Sequence, residues 1–193
     1  MTEKTYLPNC SPWVYETKFL NYKTYADIFT DYNPNRDKAC DTSTNNGFQK
    51  DIDLVQYPLL VKDILNEINT YFKKQELNYT AHTVDAAWWV VYNKGGFQSL
   101  HQHLRSTEDD YVNLMEDTNE GIMSAVVCYN TIRNHSSSRD EWGRFYGVCG
   151  GRYFEYASTA GAMWLFDART FHGVYPTNNT RRVLSFDILY SLN

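Results

Sequence analysis

Three histidines have the types and spacing that metal chemistry requires. His101 and His103 lie two residues apart in a segment of strand-like composition, and His172 lies in another such segment about 70 residues later. Alternate residues of a strand point to the same face, and antiparallel pairing brings distant segments together. Neutral imidazole suits Fe, Zn, Cu or Ni, and positions left open on the metal are what oxygen activation requires. The pattern predicts a metal site at these residues; the alternative is ordinary barrel or surface histidines.

A pair of arginines follows the third histidine across a turn-like Pro-Thr-Asn-Asn stretch. Arg181 and Arg182 lie nine and ten residues after His172. A guanidinium stays charged at physiological pH and binds a carboxylate through two parallel hydrogen bonds. If His172 binds a metal at one end of the turn, an arginine on the returning strand lies within reach of a carboxylate whose other end chelates that metal. That geometry fits 2-oxoglutarate.

One segment carries the apolar spacing of an amphipathic helix. From about Pro58 to Gln75, apolar residues recur three and four positions apart, and charged residues fall on the other faces. The predicted buried stripe comprises Val61, Ile64, Leu65, Ile68, Tyr71 and Phe72. We expect this helix to pack on a flat surface.

Short strand-like segments, divided by Gly, Asn and Ser, fill the chain after this helix. They are expected at about Thr83–Tyr92, Phe97–His103, Ile122–Tyr129, Arg144–Val148, Tyr153–Tyr156, Ala162–Phe166, Thr170–Val174 and Arg181–Tyr190. Six to eight strands after one or two helices predict a mainly β sandwich or jelly roll with helices covering one sheet.

The region before the helix is expected to be less regular. Residues 1 to about 18 are interpreted as a short extended segment, and a helical stretch is predicted from Tyr22 to Tyr32. The polar segment from Asn33 to Asp53 is predicted to be a long loop, which would suit a lid over a site.

Composition narrows the class of protein. A chain of 193 residues suits one domain with a single core. The net charge of −5 and the pI near 5.5 argue against a broad nucleic-acid surface, because such surfaces need clustered Lys and Arg. The four cysteines have no C-x-x-C spacing, and no segment has the pattern of a signal peptide or a membrane span. We therefore expect a reduced, cytoplasmic protein.

Two blocks of the sequence resemble the iron(II)- and 2-oxoglutarate-dependent oxygenases, and most closely those predicted in bacteria and tailed phages. The blocks are "AAWWVVYNKGGFQSLHQH" and "AMWLFDARTFHGVYPTNNTRRVLSFD". The resemblance covers roughly Asp85 to the C-terminus. It implies a double-stranded β-helix (jelly roll), with residues 1–84 as a supporting segment with helices and residues 85–193 as the catalytic β core of one domain. A virus-encoded protein acting in the host cytoplasm would be compatible with it.

The resemblance also implies roles for individual residues. His101 would be the first metal ligand and His172 the distal one, and Arg181 would bind the far carboxylate of 2-oxoglutarate. Ser185 and Tyr92 would contact the same co-substrate. The implied reaction is hydroxylation of an unactivated C–H bond with Fe(II), 2-oxoglutarate and O2, with ascorbate as a reductant. The implied substrate is a peptidyl side chain, such as proline, or a small molecule.

In the last strand of the family, the arginine and the residues four and six positions later share the inward face, so the resemblance favours Arg181 over its competitor Arg182. Arg181, Ser185 and Asp187 would share the inward face. The outward residues, predicted to pack beneath the helix, are Leu184, Phe186 and Ile188.

The chain departs from the broad family at position 103, where His103 stands in place of the usual carboxylate ligand. The nearby acidic residues Glu108, Asp109 and Asp110 would supply a carboxylate if the chain looped back; alternatively they form a solvated acidic loop. Mobile loops are expected around the barrel mouth, and the candidates are Asn33–Asp53, Arg105–Gly121 and Arg133–Arg144.

Two other interpretations fit parts of the sequence. A cupin-type metal protein would use His101, His103, Glu108 and His172 as ligands and would need no arginine, although the Pro-x-Gly turn expected before its last histidine is missing. A non-catalytic jelly-roll module for binding or virion structure would leave the histidines without a role. Loss of 2-oxoglutarate binding with retained metal binding on replacement of Arg181 would favour the oxygenase over the cupin. Metal analysis and an assay for succinate release would separate both enzymes from the non-catalytic module.

Overall fold

The computed structural model describes residues 13–30, 44–103, 120–132 and 142–193. Within these ranges the chain forms one α-helix, α1 (Pro58–Lys74), and two 3-10 helices, Tyr22–Phe29 and Leu54–Gln56. The strands are β1 (Val14–Lys18), β2 (Thr44–Asp51), β3 (Tyr79–His101), β4 (Glu120–Cys128), β5 (Phe145–Cys149), β6 (Arg152–Tyr156), β7 (Ala162–Asp167), β8 (Phe171–Val174) and β9 (Arg181–Leu192). The predicted mainly β class is confirmed.

The strands form an antiparallel arrangement in the order β1-β7-β4-β9-β3-β8-β5-β6, with β2 also paired to β3. The first part of β3 pairs with β9 from Tyr79 to Tyr92, and its last part pairs with β8 at Gln98 and His101. Because β3 has different partners along its length, it joins one group of strands (β1, β7, β4, β9) to the other (β8, β5, β6). The sheet thereby curls into the jelly roll that was predicted.

Two adjacent glycines mark the change of partner within β3. Gly95 has a φ of +82°, in the left-handed region that favours glycine. A Cβ on Gly96 would lie 2.5 Å from the carbonyl oxygen of Asn46. The Gly95 amide donates to the Thr177 carbonyl, and the Thr177 amide donates to the Gly96 carbonyl. The glycines therefore hold β3 against the turn between β8 and β9.

Helix α1 covers the outer face of the β3, β4 and β9 strands. Its fully buried residues are Leu60, Ile64, Ile68 and Phe72, spaced four apart. They pack in one core with the outward residues of the sheet, which include Leu184, Phe186 and Ile188 as predicted. Each such side chain contributes about 1.5–3 kcal/mol by leaving water. The predicted helix is confirmed, although Val61, Leu65 and Tyr71 are only partly buried and Leu60 replaces them in the stripe.

The inner face of the same strands builds a second core. Its members are Val90, Tyr92, Val126, Cys128, Phe145, Ala162, Trp164, Phe166, Val174 and Val183. They alternate with the residues that face α1, as the period of two in a strand requires. The inner face therefore lies between the two groups of strands, where the histidines and Arg181 are found.

The predicted loop Asn33–Asp53 is wrong over its second half. Thr44–Asp51 is strand β2, which pairs with β3 in two registers separated by an irregularity at Asn46. The Asn and Gly residues of "TNNGFQKD" favour turns and so predict a loop. Main-chain pairing with β3 overrides this preference, and Phe48 packs against Trp89 with ring centroids 5.1 Å apart.

The other predicted loops lie largely outside the described residues, which omit 31–43, 104–119 and 133–141. Glu108, Asp109 and Asp110 are among the omitted residues. Where the predicted loops enter the described ranges, Glu120 and Gly121 belong to β4, and Trp142 and Gly143 form a turn. The division at residue 84 stays a prediction; β3 runs across it. None of the helices in the described ranges is long and apolar enough to span a membrane.

Candidate metal centre and adjoining anion pocket

The structure brings the three predicted histidines together at the end of β3. His101 is the last residue of β3 and lies opposite His172 of β8 in the antiparallel register. His103 follows two residues later, and its amide donates to the Ala168 carbonyl at 3.1 Å. The candidate ligand atoms of all three lie within 4.8 Å of one another. This separation suits three ligands around a single ion.

The outward nitrogen of each imidazole has an oxygen acceptor. His101 Nδ1 lies 2.9 Å from the Ser99 carbonyl, and His172 Nδ1 lies 2.9 Å from the Thr170 carbonyl. His103 Nδ1 lies 3.0 Å from Asp187 Oδ1. Since a neutral imidazole has one N–H, donation from Nδ1 leaves the lone pair on Nε2. The Nε2 atoms of His101 and His103 are 3.3 Å apart, so the lone pairs converge.

Burial keeps two of these imidazoles in the neutral form. Burial, followed by the charge of His103, lowers the pKa of His101 from 6.5 to about 4. The same causes, with His101 added, hold the pKa of His172 well below 6.5. At neutral pH both side chains therefore offer lone pairs to a metal without first losing a proton.

Arg181 is the first residue of β9 and is completely buried. Its Nε donates to Ser158 Oγ at 2.9 Å, and its guanidinium lies 5.1 Å from the Tyr92 ring and 5.9 Å from the Trp164 ring. Both terminal nitrogens, Nη1 and Nη2, are buried without a hydrogen-bond partner among the described residues. A buried charge with unsatisfied donors is costly unless an anion binds it. The two Nη atoms therefore form a candidate anion site.

One small pocket adjoins His103, His172 and Arg181. The polar residues of its wall are Tyr92, Gln98, His103, His172, Arg181 and Ser185. The rest of the wall consists of Trp88, Val90, Val126, Phe145, Val174 and Val183. A largely apolar pocket with a few convergent polar groups is the usual form of a small-molecule site.

Tyr92 lies in this wall as a neutral phenol. Its hydroxyl donates to Gln98 Oε1 at 2.6 Å. Burial raises its pKa to about 12, and the nearby Arg181 opposes the rise. The side chain therefore contacts the guanidinium through the face of its ring, while its hydroxyl orients Gln98.

The structure separates the two arginines that follow His172. Arg182 is half-buried, alternates to the other face of β9 and does not line the cavity. Arg181 and Ser185 both lie in the cavity wall, and Asp187 lies on the same face of β9 in contact with His103.

Sequence reasoning missed three residues around the site. Ser158 receives the Nε hydrogen of Arg181 and donates its own hydroxyl to the Gly143 carbonyl. Ser124 bonds both His103 and Asp187, and Gln98 accepts from Tyr92. Ser158 lies in a loop and carries no sequence signal. Asp187 was predicted to face inward, but the alternation of side chains along a strand does not show which residue it contacts.

In chemical terms, the cavity offers a cation site and an anion site on one wall. Three imidazole nitrogen donors suit a divalent transition metal, and the guanidinium suits a carboxylate. A dicarboxylic acid that chelates a metal at one end would engage both.

Comparisons with known proteins show a shared fold. No family model matches the chain, and no curated protein matches it. A prolyl-4-hydroxylase from Pseudomonas putida is 16% identical over 91% of each chain, with a TM-score of 0.60. A prolyl hydroxylase from Trichoplax adhaerens, in complex with a hypoxia-inducible-factor peptide, is 12% identical over 92% of this chain and 82% of that one, with a TM-score of 0.61.

A third solved structure holds small molecules. HygX from Streptomyces hygroscopicus, with nickel, 2-oxoglutarate and hygromycin B bound, is 10% identical over 92% of this chain and 82% of that one, with a TM-score of 0.58. At these identities the likeness shows the fold alone, which is a jelly roll.

Proposed function

We propose that this protein is a non-haem Fe(II)- and 2-oxoglutarate-dependent dioxygenase that hydroxylates an unactivated C–H bond. The observation that carries the proposal is the buried Arg181, whose two Nη atoms have no partner among the described residues and which lines the same cavity as His103 and His172. A cation buried beside a metal-binding cluster is explained by a ligand that carries a carboxylate and also reaches the metal.

The residues fit the metal. His101, His103 and His172 direct their Nε2 atoms inward because each Nδ1 is held by an oxygen. Three imidazoles suit Fe(II) and leave positions for a chelating co-substrate and O2. When bound, Fe(II) and 2-oxoglutarate would activate O2, which is the oxidant: one oxygen atom would enter succinate as 2-oxoglutarate loses CO2, and the other would be inserted into the C–H bond.

The chain supplies binding and orientation. Arg181 donates two parallel hydrogen bonds to the far carboxylate of 2-oxoglutarate, and Ser158 fixes the plane of the guanidinium through Nε. Ser185 lies in the same wall and offers a hydroxyl to that carboxylate. Tyr92 packs its ring against the guanidinium. The valines and Phe145 of the wall keep water from the reacting atoms.

The substrate class follows from charge and fold. With a net charge of −5 the chain is poorly suited to the phosphate backbone of a nucleic acid. Proteins of this fold have been solved with a peptide and with hygromycin B bound. We propose a peptidyl side chain, such as proline, or a small molecule, with ascorbate as a reductant that sustains turnover.

The test compares Arg181→Gln with Arg182→Gln. Calorimetry would measure 2-oxoglutarate binding to protein saturated with Fe(II) without oxygen, and succinate release would be followed in air with ascorbate. Arg181→Gln removes two charge-assisted hydrogen bonds of about 1.5–3 kcal/mol each, so 2-oxoglutarate affinity is expected to fall by about 100-fold or more. Metal affinity should be retained, and Arg182→Gln should behave as the wild type.

Two outcomes would contradict the proposal. Wild-type protein that binds metal but not 2-oxoglutarate would favour the cupin-type alternative. Wild-type protein that binds neither would favour a non-catalytic module.

A further inference from the structure

We propose that Asp187, held by Ser124, is a positioning residue that orients His103 and supplies through it the negative charge that a directly ligating carboxylate would bring to the metal. The inference rests on the proposed function, because it concerns the same metal site. It explains how a site with three histidine ligands can replace one in which a carboxylate is the third ligand.

The three imidazoles differ in what holds their outward nitrogen. His101 and His172 donate to backbone carbonyls, which are neutral. His103 instead lies 3.0 Å from a carboxylate oxygen of Asp187. The charged partner therefore stands behind the one histidine that occupies the position of the usual carboxylate ligand.

The carboxylate is fixed by the sheet. Asp187 of β9 and Ser124 of β4 lie directly opposite each other in the antiparallel register. Ser124 Oγ donates to Asp187 Oδ1 at 3.0 Å and lies 2.7 Å from His103 Nδ1. Asp187 is 3% exposed and Ser124 is completely buried, so water does not compete for these bonds. The oxygen that meets Nδ1 is thus held on two strands.

This arrangement determines which nitrogen of His103 carries hydrogen. A carboxylate is only an acceptor, so His103 Nδ1 must donate, and the lone pair is left on Nε2, 3.3 Å from His101 Nε2. A hydrogen bond to a charged acceptor is about twice as strong as one to a neutral acceptor. His103 is therefore the most electron-rich of the three ligands.

The charge balance follows. Three neutral imidazoles leave a divalent metal with its full charge, whereas two imidazoles and a carboxylate remove one positive charge. The carboxylate of Asp187 supplies that negative charge, and His103 lies between this carboxylate and the metal site. The site then resembles a two-histidine, one-carboxylate site in net charge while it keeps three nitrogen ligands.

The experiment measures metal affinity in Asp187→Asn, Ser124→Ala and Asp27→Asn. Asp27 lies exposed in the 3-10 helix Tyr22–Phe29, so its replacement removes the same charge far from the cavity. Competition with a chelator is expected to show a loss of Zn(II) and Co(II) affinity of about 10–100-fold in Asp187→Asn and less in Ser124→Ala. Asp27→Asn should match the wild type. Affinity in folded Asp187→Asn within twofold of the wild type would overturn the inference.

A second measurement begins with the wild-type protein, so its first result needs no variant. In wild-type protein with isotope-labelled histidine, magnetic resonance of the metal-free form should show His103 protonated at Nδ1. In the Zn(II)-loaded form, Asp187→Asn should move one of the three imidazole N–H signals and leave the other two. A His103 protonated at Nε2 would overturn the inference.

Failure of the inference and failure of the proposed function give different results. If wild-type protein binds metal and 2-oxoglutarate but Asp187→Asn changes neither metal affinity nor the N–H signals, only the role of Asp187 is lost. If wild-type metal-loaded protein does not bind 2-oxoglutarate, the proposed function is lost.

Discussion

At the scale of single residues, Arg181 is a case in which binding and stability oppose each other. A completely buried guanidinium has lost its water, and only Nε regains a partner among the described residues. The rings of Tyr92 and Trp164 offset part of this cost. The ligand-free protein therefore carries a destabilising charge, and a bound anion would relieve the remaining cost.

We expect Arg181→Met to stabilise the ligand-free protein. Replacing a buried, incompletely paired charge by an apolar side chain of similar length should raise the free energy of unfolding by about 1–4 kcal/mol. Urea denaturation without ligand measures it. The half-buried Arg182 provides the control, since Arg182→Met should change stability by less than about 0.5 kcal/mol. A clear loss of stability in Arg181→Met would mean that the guanidinium already has stabilising partners.

The site was partly predictable at this scale. His101, His103, His172 and Arg181 stand out because their spacing implies shared faces and a short turn, both of which are local properties. The contacts of Asp187 with His103 and of Ser158 with Arg181 join residues 84 and 23 positions apart. They depend on strand pairing and loop paths that a single sequence does not encode visibly.

At the scale of elements, the bend in β3 sets the site. Residues up to Tyr92 pair with β9 and so position Tyr92 opposite Arg181, whereas Gln98 and His101 pair with β8. The sequence predicted two strands separated at the glycines; the structure has one continuous strand that changes partner there. Strand β3 therefore positions both the residues beside Arg181 and the histidines.

We predict that Gly96→Ala disturbs both stability and metal binding. Its Cβ would lie 2.5 Å from Asn46 O and 2.8 Å from Asn93 O, both of them backbone atoms that cannot rotate away. The overpacking should cost about 1–3 kcal/mol of unfolding free energy and weaken metal binding by shifting His101. Denaturation and chelator competition measure the two effects.

Gly150→Asn is the matched control for this change. Gly150 has a φ of +55° and open space around it, and Asn tolerates that conformation. Stability and metal affinity close to the wild type are expected for Gly150→Asn. Equal effects from both variants would show that the bend at Gly96 has no special role.

A second prediction at this scale concerns α1. Ile68 is completely buried against the sheet, whereas Leu59 on the same helix is 67% exposed. Ile68→Ala should lower the free energy of unfolding by about 2–5 kcal/mol, because it removes buried apolar groups and leaves a cavity. Leu59→Ala should change it by less than about 0.5 kcal/mol. Equal losses would mean that the helix does not pack on β3, β4 and β9 as described.

The elements differ in how well sequence reveals them. Helix α1 was predictable because all the residues of its buried face pack in one core. Apolar residues therefore recur at the spacing of a helix, and this spacing is visible in the sequence. Strand β2 was not, since its residues are mostly polar and its place depends on main-chain bonds to β3. Main-chain hydrogen bonds leave no mark in residue type. The helix at Tyr22–Tyr32 was partly right, because a 3-10 helix forms at Tyr22–Phe29.

At the scale of the whole molecule, the jelly roll brings residues from several strands together at the site. The proposed metal ligands come from the end of β3, the residues just after it and β8, while Arg181 begins β9 and Asp187 lies further along the same strand. A bound metal would therefore tie β3 to β8, and 2-oxoglutarate would tie that pair to β9. Ligands that bind only the folded chain must stabilise it.

We therefore expect stepwise stabilisation by the two ligands. Ni(II) at about 100 times its dissociation constant should add about 2.7 kcal/mol, which for a chain of this size raises Tm by about 5–10 °C. Thermal unfolding should show a further rise on addition of 2-oxoglutarate to the Ni(II)-loaded protein. His172→Gln should lose both steps, since the metal is the platform for the co-substrate. Arg181→Gln should keep the metal step and lose the second. If 2-oxoglutarate raised Tm equally without metal, the carboxylate would be binding Arg181 alone, and the two sites would not act as one.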